Sequence, residues 1–288
     1  ISLNGWSSGT GGAGILGGAS YMFLTSIFKV PVKLTLLIFS LLPFAFLFYF
    51  KLESNETNLT FQSLQQIDEA EDDQLVPFPV AFTHTNASQS LYSTRQHILQ
   101  TVKRLRRLVF PYMVPLTTVY LFEYLINQAV APTLLFPING DERSKSMPFF
   151  FHKYRDIYVT YGTLYQLGVF ISRSFGHLIR MRSLYILAFL QGVNLCITVL
   201  QSWFYVTRSP WAVMILIFYE GFLGGASYVN TFLNILEQED PDETEFAMGA
   251  VSIADSFGVF LAALLGLGLE PKLCRHQIAD DRPWCRME

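Results

Sequence analysis

Charge is scarce in this sequence. Asp, Glu, Lys and Arg make up 15% of the 288 residues, against about 25% in an ordinary soluble domain. The net balance is -3, so no basic field invites nucleic acid. Cysteine is nearly absent: Cys196, Cys274 and Cys285 are too few for a disulfide framework. Cys196 lies in an apolar run and reads as a small buried hydrophobe. No spacing of Cys and His suits zinc. His84, His97, His152, His177 and His276 are dispersed, and neither G-x-S-x-G nor H-E-x-x-H occurs. Nothing here points to a catalytic set, a metal or a cofactor, and the chain reads as a non-enzyme.

Apolar residues are what the chain has. It is 51% hydrophobic, with 26 Phe and 14 Tyr, and its mean hydropathy is +0.33. Crossing a bilayer takes roughly 20 apolar residues in a helix. Seven segments qualify, at about 9–28, 33–50, 108–136, 157–175, 184–206, 211–236 and 246–269. The first is rich in Gly and Ala. Pro43 interrupts the second, and Pro111, Pro115 and Pro132 are placed to bend or break the third. Residues 51–107 are polar, with IDEAEDD at 67–73, and read as a flexible loop.

Orientation follows Lys and Arg in short loops. KRLRR (103–107) and RSFGHLIRMR (173–182) are separated by two crossings, share a side and read as cytosolic. EQEDPDETE (237–245) falls on that side too, although it is acidic. The tail is then non-cytosolic. Asn55, Asn58 and Asn86 fit the glycosylation sequon but lie in the loop placed on the cytosol, so their modification would invert the topology. The chain opens on Ile1, not Met, and reads as the later part of a longer protein. The fold class is therefore an all-α polytopic membrane protein on a partial chain. Two helices occupy residues 1–50, a polar cytosolic loop 51–107, a five-helix bundle 108–270 and a short tail 271–288.

Gly9, Gly11 and Gly14 spell G-x-G-x-x-G, but a dinucleotide site needs a strand before it and an acid about 20 residues on. SLNGWSS and Lys29-Val30-Pro31 stand there instead. Close helix packing explains the glycines better. Gly14 and Gly18, Gly221 and Gly225, and Gly258 and Gly266 with Ala262 between them repeat at steps of four, the spacing that lets membrane helices approach closely.

Three acids fall inside crossings: Glu123, Glu220 and Asp255. An aspartate at mid-helix costs about 3 kcal/mol on insertion scales, so each should face a partner or a cavity. Glu220 continues through Gly224, Ser227, Thr231 and Asn234 as a polar stripe. Tyr120, Glu123 and Asn127 form a similar face. Each acid alone could serve helix assembly. Together with Asn127, Gln166, Gln191, Asn194 and Asn230 they favour a shared polar cavity. Arg173 reads either as an interfacial anchor or as a fork for an anion.

WSSGTGGAG (6–14), FEYLINQ (122–128), GVFISRS (168–174), YEGFLGGASYVNTFLNI (219–235) and EFAMGAVSIADSFG (245–258) resemble the battenin family, lysosomal membrane proteins linked to juvenile neuronal ceroid lipofuscinosis. The likeness spans Trp6 to about Leu269. It implies a major-facilitator-like carrier of lysosomal and late endosomal membranes. Such a carrier exports glycerophosphodiesters by alternating access, supports lysosomal pH and homeostasis, and needs an amino-terminal bundle of the same protein. Its partners would be a small anionic substrate and membrane lipid. Glu123, Arg173, Gln191 and Asp255 fall at positions where the family has disease-associated substitutions. The polar helix faces themselves, apart from the resemblance, suggest a substrate cavity or coupling set of Glu123, Asn127, Arg173, Glu220, Ser227, Asn230 and Asp255, with one acid coupling the cycle to a proton. CRME (285–288) departs from the family's prenylation box. The alternative is a non-transporting membrane organiser or trafficking adaptor that works through its acidic loop.

Overall fold

Small residues decide how closely these helices pack. The computed structural model describes residues 2–45, 99–138, 147–176 and 180–286. Segment 46–50, the loop from 51 to 98 with its acidic run and sequons, and His177 lie outside them. The chain divides into two compact units, Val30–Ile98 and Ile1–Lys29 with Leu99–Glu288. In the first, α2 (Val32–Phe39) follows Pro31 and leads to a 3-10 turn, Leu42–Ala45.

The second unit holds α1 (Ser2–Met22), α3 (Leu99–Thr133), α4 (Tyr154–Ser174), α5 (Leu184–Phe204), α6 (Pro210–Gln238) and α7 (Pro241–Ala279). Among the described residues there is no strand. Helices α3, α5, α6 and α7 are long and apolar enough to cross a membrane. α1 and α4 have 21 residues each but are more polar.

α3 begins at Leu99, so KRLRR is helical and not part of a loop. Its prolines do not end it. Pro111 sits in a π-helical turn, Val109–Met113, and Pro115 opens the next stretch. A second π-helical turn covers Ile126–Val130, and Pro132 lies in the closing 3-10 turn. Proline has no N–H for the preceding turn, and such locally widened or tightened turns absorb the missing bond.

α6 is the central helix: every residue from Leu223 to Phe232 is buried. Its glycines admit α4. A Cβ on Gly221 would stand 2.1 Å from the Tyr165 carbonyl oxygen, and one on Gly225 2.1 Å from Ser172 Oγ. From the other side, a Cβ on Gly168 would meet the Phe218 carbonyl at 2.3 Å. α7 lies on α3 through Ala254, Gly258, Ala262 and Gly266. A Cβ on Gly258 would come within 2.6 Å of the Thr117 carbonyl, whereas Gly266 leaves ordinary contact to Ala129 at 3.6 Å. Thr117 also donates to the Ala254 carbonyl at 2.9 Å. On α1, Gly14 lies under the Gln166 amide and Gly18 touches Thr163.

Apolar stripes face outward. Ile186, Phe189, Val193, Ile197, Leu200 and Phe204 line one side of α5, and Ile253, Phe257, Phe260, Leu264 and Leu267 one side of α7. Water would not tolerate such faces over this length, and a hydrocarbon solvent would. Cys196 lies on the outer side of α5 and is exposed. This corrects the expectation of a buried thiol: an apolar run marks a lipid-facing position as readily as an interior one.

The polar end was expected as a tail from residue 271. Instead α7 runs through Pro271 to Ala279. Gln277 explains why: its amide donates to the carbonyls of Thr133 and Ser202, both at 2.9 Å. Arg282 donates to the Trp203 carbonyl at 2.7 Å. Cys274 and Cys285 form a disulfide that folds the last turn back on α7. The cysteine reading missed this pair because one local bridge is no framework. At the opposite end Arg107 pairs with Glu239 (2.9 Å), Arg104 with Glu243 (2.8 Å) and Arg180 with Glu237 (2.7 Å). The basic and acidic segments therefore share one side of the unit.

Candidate functional site

Two carboxyl groups meet the same stretch of helix interior from opposite partners. Glu123 and Asn127 are four residues apart on α3 and so lie on one face. Both turn toward α6. Asn127 Nδ2 donates to Glu220 Oε1 at 2.8 Å and lies 3.3 Å from the Glu123 carbonyl oxygen. The second π-helical turn begins at Ile126 and sets the register in which Asn127 reaches α6. Glu123 is clasped more tightly. The Tyr165 hydroxyl on α4 donates to its Oε1, and Gly224 leaves room for it. A Cβ on Gly224 would lie 2.3 Å from Glu123 Oε2 and 2.5 Å from its Cδ.

Both acids are buried, Glu123 at 2% exposure and Glu220 at 0%. Among the described residues Oε2 of each has no hydrogen-bond partner, and neither does Ser227 Oγ. Buried polar atoms are nearly always satisfied. Three open positions in one interior are therefore a feature to explain. No ion pair among the described residues involves Glu123, Glu220 or Arg173.

Arg173 approaches from the end of α4. Its guanidinium lies over the Tyr228 ring at 4.4 Å, donates to Thr10 Oγ1 at 3.0 Å and stands 3.5 Å from the Tyr120 hydroxyl. Its Nε is buried without a partner among the described residues. Ser8 and Ser174 share a hydrogen bond of 2.9 Å alongside. Helices α1, α3, α4 and α6 thus surround a single cation with hydroxyl groups and aromatic faces.

The remaining residues of the predicted set separate. Asp255 is half-buried, and its carboxylate accepts from its own neighbour Ser256. It does not join the carboxyl pair. Asn230 is turned away. Its Oδ1 accepts from the Met181 backbone at 2.7 Å and from Arg180 at 3.2 Å. Asn234 similarly faces the carbonyls of Met181 and Arg182. The stripe from Glu220 to Asn234 therefore splits, its first part meeting α3 and its last part clamping the α4–α5 connection. Gln191 and Asn194 are buried on α5, and Asn194 donates to the Leu216 carbonyl at 3.2 Å.

Sequence reasoning passed over Tyr165, Tyr228 and Thr10. The signal for Tyr165 was present: Tyr161, Tyr165 and Ser172 fall on one helical face of α4. Among the described residues no group of three or more His, Cys, Asp or Glu could hold a metal ion.

Lipid-facing helices around an interior of carboxyls, amides and a guanidinium held by hydroxyls and a ring face define an all-α polytopic membrane protein. The family profile described as CLN3 protein matches residues 1–276. The chain is similar to Protein BTN1 of Saccharomyces cerevisiae, 98% identical over 288 residues that cover 100% of the chain and 71% of that protein. It is 57% identical to Protein BTN1 of Candida glabrata over 99% of the chain and 71% of that protein. Against Protein BTN1 of Candida albicans the identity is 43%, over 98% of the chain and 68% of that protein. The chain belongs to the CLN3, or battenin, family. No solved structure matches it.

Proposed function

We propose that the chain works as part of a major-facilitator-like carrier for a small organic anion, by alternating access, in lysosomal and late endosomal membranes. The observation that carries this reading is Arg173. A guanidinium drawn partly into a helix bundle normally finds a carboxylate, and this one has hydroxyls and a ring face instead. A planar fork that no carboxylate among the described residues engages suits two oxygens of a phosphate or carboxylate ligand. The battenin resemblance adds the candidate substrate, a glycerophosphodiester whose export would support lysosomal pH and homeostasis. The buried carboxyl pair supplies groups able to take up a proton during the cycle.

A second reading has one observation in its favour. Glu123 is clasped between Tyr165 and Gly224, the arrangement of an acid that joins helices. A membrane organiser would need no more than that. Full-length protein in sealed liposomes separates the two, with labelled glycerophosphodiester exchange above empty vesicles expected. Folded, correctly inserted protein with no exchange would leave the organiser.

A further inference from the structure

A cavity of about 320 Å³ lies between α1, α3 and α4. Its lining includes Gly17, Tyr21, Asn127, Gly162, Thr163 and Gln166, so it offers amide and hydroxyl groups and no charge. Room is ample, since a liquid water takes about 30 Å³ and needs two to four polar partners. Asn127 belongs to both this cavity and the carboxyl pair: it lines the space and donates to Glu220 at 2.8 Å. Glu220 itself is fully buried behind it, with Oε2 unpartnered among the described residues.

From this geometry we infer that the cavity is the water route to Glu220, with Asn127 as its gate. A proton passes between cavity water and the Glu220 carboxylate when the amide swings aside. The inference deepens the transport reading and rests on it for the proton's purpose. Few charged or titratable groups stand around Glu220. Glu123 shares the Asn127 amide, which lies 3.3 Å from its carbonyl oxygen. Tyr165 is a hydroxyl committed to Glu123, and Arg173 acts on Glu123 from a distance. Among the described residues no Lys, Arg or His pairs with Glu220.

Infrared spectroscopy of the full-length protein in liposomes reads this directly and without flux. A protonated-carboxyl band should be present and should disappear in Glu220→Gln. Transfer to heavy water should shift it. Gly162→Leu fills the cavity from a position where an added Cβ meets nothing within 4 Å. It should slow the shift by roughly tenfold, the effect of about 1.4 kcal/mol on a barrier. Gly17→Leu, equally unobstructed, should do the same, and Asn127→Ala should speed it. Absence of the band, or an exchange rate that both leucines leave unchanged while the band persists, would overturn the route. Blocked exchange in a protein that moves no anion would uphold the route and remove the transport reading alone.

Discussion

The side-chain amide of Asn127 holds Glu220 Oε1 at 2.8 Å across the α3–α6 contact. Among the described residues it is the one donor given to a carboxyl group that is otherwise sealed from solvent. The pair links the two helices that carry the buried acids. Asn127→Ala should therefore cost about 1–3 kcal/mol, the usual penalty for stranding a buried polar group. Thermal unfolding of the full-length protein in detergent checks it. Glu220→Gln should unfold no earlier than wild type, because its amide oxygen still accepts from Asn127 and no charge is buried.

The α4–α6 crossing depends on hydrogen atoms where side chains would be. Gly225→Ala should destabilise by about 1–3 kcal/mol, as overpacking of a tight contact does. The added carbon would collide with Ser172 Oγ and approach the Val169 carbonyl at 2.8 Å. Gly17→Ala is the control, since its Cβ meets nothing within 4 Å, and should cost nothing. The difference is measured as the shift in unfolding midpoint between the two variants.

Tyr228 presents its ring to Arg173. A cation–π contact is worth about 0.5–2 kcal/mol, so Tyr228→Leu should raise the half-saturating anion concentration by roughly 2- to 30-fold. Tyr228→Phe keeps the face and should stay within roughly twofold, a difference of about 0.4 kcal/mol. Titrating initial exchange rates against anion concentration distinguishes them.

At the charged end, two kinds of polar contact should differ sharply. Glu243 pairs with an exposed Arg104, and Glu243→Gln should change stability by less than about 1 kcal/mol. Asn230 is buried and holds the Met181 backbone and Arg180. Asn230→Ala should cost about 1–3 kcal/mol and should expose the α4–α5 connection to protease.

Much of the fold was legible because helices in lipid announce themselves by length and apolarity. The segments at 184–206 and 211–236 match α5 and α6 within a few residues. Their ends were harder. α3 starts at Leu99 because a polar first turn and the basic KRLRR that follows it are compatible with helix once they leave the hydrocarbon. α7 outlasts its apolar run because Gln277 and the Cys274–Cys285 bridge fasten the polar turns. Spacing alone brought Glu123 and Asn127 to one face, but it could not show that Asn127 would choose Glu220. Nor could it turn Asn230 toward the α4–α5 connection. Those choices depend on which helix fills the opposite side. The stripe on α6 showed only that polar groups lie in line, and α3 and Met181 divide it between them.

The central claim is that Arg173 receives an anion inside the bundle. Half-saturation of glycerophosphodiester exchange by the full-length protein, compared between wild type and Arg173→Gln, tests it most directly. Losing hydrogen bonds to a charged group costs about 1.5–3 kcal/mol, so the variant should need roughly 10- to 150-fold more anion. Arg173→Lys, which lacks the fork, should recover only part of the loss. Equal half-saturation in wild type and folded Arg173→Gln would contradict the account.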